Sequence, residues 1–439
     1  MLQASINAFR IPDLRQKILY TFMILVVFRI VAHVPVPGID TAALKDIFDR
    51  QDVGQILGVL NIFSGGSLQN FSVAAMGVYP YITASIIFQL LIPIIPRLTE
   101  LSKEGESGRQ KINQYQHWLT VPLAILQGYG QCVLMKSLGV LPRFDLFSAQ
   151  NGLYSFSILA SLVAGTIFLI WLGERITENG IGNGISIIIF GGIVARLPTT
   201  VFQTIAPQTQ SGASFNFIGL ILFVVISLFT VIGIIMIQEG QRRIPVHYSR
   251  NVFKGNRMMR QSGESNIPLR VNSAGMIPLI FAQSIIIFPS TIAAFFTAAT
   301  GTLGDIARTI TSLFSPNTVQ YQIFYFLMVV GFTYFYTTVV FQQQNIADNL
   351  QKSGGVVPGK RPGKATQDYL TRVLNRITLI GALFLGVVAV LPFFGGLITG
   401  VQFLFSSTAL LIVVGVAIDT MKQLEAQLLM RNYEGFIRR

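Results

Sequence analysis

The acids, bases, nucleophiles and metal ligands of this chain are informative mainly through the chemistry they exclude. It carries nineteen Asp and Glu, and all of them fall in loops or at the ends of apolar runs, with Glu174, Glu239 and Asp419 coming nearest to an apolar interior. Proton-coupled carriers use carboxylates within the membrane, and hydrolysis by paired carboxylates needs two of them face to face, so both lack their residues. Cys132 is the only cysteine, and His33, His117 and His247 are far apart in sequence. That pattern allows no intrachain disulfide and disfavours a Cys/His metal site. No nucleophile–base pair suited to an intramembrane hydrolase stands out. Gly354 to Lys360 matches G-x-x-x-x-G-K, but Arg361 stands where Ser or Thr would hold magnesium. No strand–helix unit is expected around the match, so a phosphate-binding loop is rejected. The chain reads as non-enzymatic and without a cofactor, drawing any energy from a partner or a gradient.

The elements around these residues are apolar. Of 439 residues, 51% are hydrophobic and 12% charged, with a mean hydropathy of +0.59. Soluble chains carry about 25% charged residues, so a soluble enzyme, a disordered chain and a disulfide scaffold are excluded. Apolar runs lie at about 18–36, 71–95, 118–138, 152–172, 181–197, 215–237, 274–299, 321–341, 377–394 and 397–418. Each is long enough for a helix across about 30 Å of hydrocarbon, and barrel strands would be shorter and alternating. The expected fold is an all-α polytopic membrane protein of ten transmembrane helices. The polar, amphipathic start SINAFRIPDLRQK is not expected to be a cleavable signal peptide.

Charge sets the orientation. The net charge is +13. Twenty-five basic residues fall on the side of the two termini, against Lys45, Arg50, Arg143, Arg196 and Arg308 on the other, which places both termini in the cytoplasm. Five spans per half is an odd number, so repeated halves would be inverted, with a path between them near the midplane. The expected organisation is a cytoplasmic segment 1–17, a half at 18–198, a second half at 199–419 with basic loops at about 239–272 and 342–376, and a cytoplasmic tail 420–439.

Several local features leave alternatives open. Residues 55–70, QILGVLNIFSGGSLQN, are too short to span; they read as a re-entrant piece or equally as a surface amphipathic helix. The glycines of GIGNGIS at 180–186 suit either a flexible or a closely packed helix start. Arg29 is the one clear charge inside a span; pairing with backbone carbonyls or a neighbour, or snorkelling to an interface, is favoured over lining a polar path. Gln89, Gln127, Gln131, Thr83 and Ser85 could bond across helices or wet an internal surface. The two basic loops suit anionic lipid, nucleic-acid phosphate or an acidic protein.

The strings NIFSGGSL, YPYITASIIFQLL, LSKEGESGRQKINQY, WLGERITENGIGNGISIIIF, NSAGMIPLIFAQSIIIFP and VPGKRPGKAT are similar to the SecY family, the channel subunits of the Sec protein translocon, from about residue 10 to the C-terminus. The resemblance implies a clamshell of two halves around an hourglass pore that passes unfolded secretory polypeptides and releases hydrophobic segments sideways into lipid. Leu60, Asn61, Ile62, Phe63, Ser64, Gly65 and Gly66 would belong to a plug. Val78, Ile82, Ile189, Ile193, Ile280 and Ile412 would form the pore ring, with Val78 replacing the Ile of many relatives and widening the ring slightly there. Thr83, Gln127 and Phe288 would lie on or near a lateral gate between spans 2–3 and 7–8. Arg242, Arg243 and Arg361 would dock the SecA motor ATPase or the ribosome. SecE and SecG would be partner subunits, and a signal peptide with its translocating polypeptide the cargo. The membrane would be the bacterial plasma membrane, or alternatively the thylakoid. An inverted-repeat secondary transporter of a small solute is the competing reading; it shares the topology but lacks coupling groups.

Overall fold

The structure is a computed structural model, and it describes residues 11–40, 43, 44, 46, 61, 64–146, 148, 150–210, 217–254, 257–275, 277–296, 301–315, 318–343, 346–399 and 407–437. Helices dominate, and each of the ten apolar runs overlaps a helix among the described residues. These are α1 (Pro12–Val31), α2 (Tyr79–Leu91), α4 (Glu106–Ser137), α5 (Gly152–Asn179), α6 (Gly184–Gln210), α7 (Phe217–Glu239), α8 (Ile277–Phe296), α10 (Val319–Gln343), α12 (Lys364–Thr399) and α13 (Ser407–Ile437). Shorter helices α3 (Pro96–Lys103), α9 (Thr302–Leu313) and α11 (Ile346–Lys352) connect them. Among the described residues, α4, α5, α12 and the 319–352 stretch are each long and apolar enough to cross a bilayer.

Local sequence explains where these helices begin and end. Proline stands at the first or second position of α1, α2 and α3, where its missing N–H is no loss and its fixed φ suits the first turn. Pro93 stops α2, because its ring cannot fit against the preceding turn, and the chain bends by 101° before α3. At the end of α4, Gly139 takes a φ of +82°. Its N–H bonds Lys136 O at 3.0 Å, and the N–H of Val140 bonds Met135 O at 2.9 Å. That pair of bonds is a Schellman cap, completed by burial of Val140 and Met135 in one core cluster.

The side chains of these helices suit lipid. Phe22, Trp118, Leu153, Phe229 and Met236 are all exposed, more apolar surface than a water-soluble chain displays. Small residues allow close helix contacts: a Cβ on Gly184 would collide with Gly173 O. Of the two readings of GIGNGIS, close packing is therefore the one observed.

The 239–272 segment, expected as a loop, is a long antiparallel hairpin of β1 (Gln241–Lys254) and β2 (Arg257–Arg270). A two-residue strand, β3 (Gly355–Val356), pairs with β1 at His247 and Tyr248. The signal was present in the sequence: Ile244, Val246 and Tyr248 recur at period two, separated by Pro245 and His247. Ile244 and Val246 are buried, with Leu269, Leu350, Val357, Leu370 and Ile377, in a cluster at the root of the hairpin.

By packing, the chain divides into two compact units, one of residues 1–217, 286–321 and 402–439, the other of 218–285 and 322–401. This division differs from the halves expected at 18–198 and 199–419, which rest on span counting.

Candidate functional site

The most unusual backbone in the first unit lies between α1 and α2. Residues 64–78 are turns and one 3-10 turn, Ser67–Asn70, yet they are largely buried. Buried main chain needs internal hydrogen-bond partners, and here nearby carbonyls supply most of them and short polar side chains the rest. Gly66 N–H donates to Asn61 O at 2.8 Å. Gln69 N–H donates to Asn61 Oδ1 at 3.2 Å, and Leu68 N–H to Ser64 Oγ at 3.1 Å. Ser72 N–H reaches back to Ser67 O at 3.0 Å. Beyond the turn, Val36 N–H bonds Phe71 O at 3.1 Å and Val73 N–H bonds Val34 O at 3.0 Å, stitching the ends of the connection together. Leu68, Phe71, Ala75 and Met76 then pack into one cluster with Ala124, Cys132, Ile158 and Leu162 of α4 and α5.

Two arginines reach this segment from other elements. Arg29 Nη1, on α1, donates to Gly65 O at 3.0 Å, so the intrahelical charge is matched by a backbone carbonyl. Arg196 Nη2, on α6, donates to Gln69 Oε1 at 2.9 Å. Gly65, at φ +65°, lies so close to Gly192 of α6 that a Cβ on either would meet the other's backbone. Of the expected plug residues, Asn61, Ser64, Gly65 and Gly66 are in this assembly; Leu60, Ile62 and Phe63 lie outside the described residues.

The six expected ring positions fall on four helices. Val78 caps α2 and is buried, Ile82 is half-buried one turn on, and Ile189 and Ile193 are buried on α6. Ile412 is buried on α13; these five belong to the first unit. Ile280, buried on α8, belongs to the second.

Two of the three expected gate residues meet. Gln127 Nε2 donates to Thr83 Oγ1 at 3.3 Å, while Thr83 Oγ1 donates to Tyr79 O at 3.0 Å. Gln127 Oε1 is buried and has no hydrogen-bond partner among the described residues. Phe288 is on α8, but its side chain lies outside the described residues. Three helices are further tied by a polar cluster that sequence reasoning did not single out: His117 Nε2 and Glu174 Oε1 are 3.0 Å apart, with Tyr81 edge-on to the imidazole, ring centroids 5.4 Å apart.

Arg242 and Arg243 are exposed near the start of β1, opposite Leu269 and Pro268. Arg361 is exposed just after β3; its carbonyl accepts from Thr366 Oγ1 at 2.7 Å. Lys360 lies over the Tyr369 ring at 5.4 Å. Basic side chains from both expected loops are therefore presented on one small sheet and its border. Among the described residues, no three His, Cys, Asp or Glu side chains gather as a metal site would require.

Comparison with known proteins gives a consistent result. A family model described as SecY matches residues 72–421. The protein translocase subunit SecY of Halalkalibacterium halodurans is 42% identical over 448 residues, covering 100% of both chains. That of Thermotoga maritima is 42% identical over 445 residues, covering 100% of this chain and 98% of the relative. Among solved structures, one described as a protein conducting channel aligns with a TM-score of 0.63 at 17% identity, covering 94% of this chain and 92% of that one. Sec61 in a canine ribosome–channel complex aligns with a TM-score of 0.59 at 16% identity and the same coverage.

Proposed function

The chain belongs to the SecY family, and from that premise we propose that it is the protein-conducting subunit of a membrane translocase, passing unfolded polypeptides across the bilayer and releasing apolar segments into it. The observation that carries this reading is identity along the whole chain to protein translocase subunits. The small-solute transporter is not favoured, since the same relatives cover the entire chain and the spans carry no coupling carboxylate.

In this reading the ten helices cross the membrane as two inverted halves with both termini in the cytoplasm, supported by the charge asymmetry of the loops. The 55–70 segment is the plug. Irregular backbone at membrane depth is tolerated only against protein or a water-filled cavity, which fits the buried, internally bonded turn at 64–70.

Val78, Ile82, Ile189, Ile193, Ile280 and Ile412 form the constriction. An aliphatic collar offers no partner to an ion's hydration shell and blocks by dewetting. The same side chains deform around an extended polypeptide of any sequence, whereas a polar collar would hold some segments and leak ions. A segment of about 20 apolar residues gains enough in lipid to leave sideways; a polar one passes on. The lateral exit lies between spans 2–3 and 7–8, near Thr83, Gln127 and Phe288.

The chain supplies no hydrolytic chemistry of its own, so a motor or a ribosome provides the drive. The SecA ATPase and the ribosome dock on the basic sheet through Arg242, Arg243 and Arg361, where positive charge steers an acidic surface. SecE and SecG complete the complex in the bacterial plasma membrane. The deciding experiment is reconstitution of the full chain with SecE and SecA in vesicles. ATP-dependent uptake of a signal-bearing precursor is expected, and no uptake under conditions that support a related complex would reject the proposal. Replacing Ile82 and Ile189 by Gly should raise resting ion conductance; an unchanged conductance would remove them from the collar.

A further inference from the structure

The turn at 64–66 is seated differently from the segment that follows it. From Leu68 onward the chain is anchored by apolar side chains: Leu68 and Phe71 are fully buried in the cluster on α4 and α5. At 64–66 no large side chain locks the position. Gly65 rests on Gly192 backbone to backbone, with the Phe28 ring beside it, and Gly66 packs against the aliphatic stem of Arg196. The polar ties are Arg29 to Gly65 O at 3.0 Å and Arg196 to Gln69 Oε1 at 2.9 Å. Arg29 and Arg196 stand on α1 and α6, far from the turn in sequence, so both bonds depend on those helices staying where they are.

We propose that Arg29 and Arg196 are positioning residues for the resting seal, a two-point latch on the 64–66 turn. Arg29 holds Gly65 O, and Arg196, fixed by its bond to Gln69, holds its aliphatic stem against Gly66, until α1 or α6 shifts. The inference rests on the plug reading above and deepens it. Release is chemically easy by design of the seat. Gly66 N–H and Ser64 Oγ keep their bonds to Asn61 O within the moving piece, while Leu68 N–H and Gln69 N–H give up Ser64 Oγ and Asn61 Oδ1 and take water from the opened funnel instead. Gly65 O and Gln69 Oε1 lose charged donors, but water in an opened funnel can replace them. Two glycines in contact separate without extracting a side chain from a pocket. The apolar anchor at Leu68 and Phe71 stays behind, and the positive φ of Gly65 (+65°) and Gly66 (+91°) marks the backbone that swings.

The test uses the full chain with SecE and SecG in planar bilayers, without precursor, reading the frequency of spontaneous openings. Arg29→Ala should raise it about tenfold, the scale of one lost hydrogen bond to a charged group. Arg196→Ala and Gln69→Ala should each raise it several-fold. Combining those two should add nothing beyond the larger single effect, because they remove the same bond. Arg29→Lys, which keeps a cationic donor, should recover most of the closed population. Thermal midpoints in detergent separate a latch from a general loss of fold: opening frequency should change while the midpoint stays within about a degree. If Arg29→Ala does not assemble, Gln69→Ala and Arg29→Lys carry the test, since neither removes a buried charge. Openings within twofold of the unsubstituted chain in Arg29→Ala and Gln69→Ala would overturn the latch, as would full additivity of Arg196→Ala with Gln69→Ala. Failure of the unsubstituted complex to translocate a precursor would instead overturn the channel reading.

Discussion

The turn at 64–78 and the hairpin β1–β2 both interrupt a helical chain, yet they solve the same hydrogen-bonding problem by opposite means. In the hairpin, each strand satisfies the other along a register running from Gln241↔Arg270 to Lys254↔Arg257, and tertiary packing is needed only at the root. In the turn there is no ladder. Side chains of Asn61 and Ser64 and the guanidinium of Arg29 serve main-chain groups one at a time, and Arg196 ties the side chain of Gln69. A ladder is indifferent to side-chain identity over most of its length, so the hairpin can carry the dense positive charge that the proposed docking needs. A turn built from individual bonds is sensitive at each position, which suits the proposed latch.

That contrast can be broken at its strongest point first. Leu370, fully buried in the root cluster, should cost about 3 kcal/mol on truncation to Ala, through lost burial and a residual cavity. Limited proteolysis should then cut within 241–270 faster, and unchanged protection would mean that the root does not hold the hairpin. Next, Gly192→Ala adds a methyl where the Gly65 backbone stands. A cost of about 2 kcal/mol is expected for such overpacking, read as a lower thermal midpoint and more resting leak. Gly331→Ala, where a new Cβ would meet nothing within 4 Å, should change stability by less than about 0.5 kcal/mol. The smallest effect on fold belongs to the exposed arginines. Arg242→Glu combined with Arg243→Glu should leave the thermal midpoint essentially unchanged while weakening motor docking about tenfold at low salt, with the difference shrinking as salt rises. A loss of docking that ignored salt would point to a shape effect instead of charge.

Legibility in the sequence followed the range of the interactions. The ten apolar runs each found a helix because hydropathy over about 20 residues is a local property. The prolines that open α1, α2 and α3, and the Gly139 cap of α4, are local for the same reason. The hairpin left a weaker local signal, Ile244, Val246 and Tyr248 at period two, because Pro245 within the run argues against a strand. Arg29 bonds a backbone carbonyl, as its place inside a span favoured; that the carbonyl belongs to Gly65 was not readable. Thr83 and Gln127 entered as gate residues by resemblance, and their mutual hydrogen bond joins positions 44 residues apart.

By itself the sequence determined the helical, membrane-embedded class, the absence of acids from the apolar spans and the side on which basic residues collect. Those are sums over local composition, and folding cannot change them. Only the tertiary structure decided that Arg196 reaches Gln69 across 127 residues, that two glycines from distant segments touch, and that Leu68 is anchored while the neighbouring glycines are not. Such contacts depend on where whole helices come to rest, and that is settled by packing among all of them, not by any one stretch of chain.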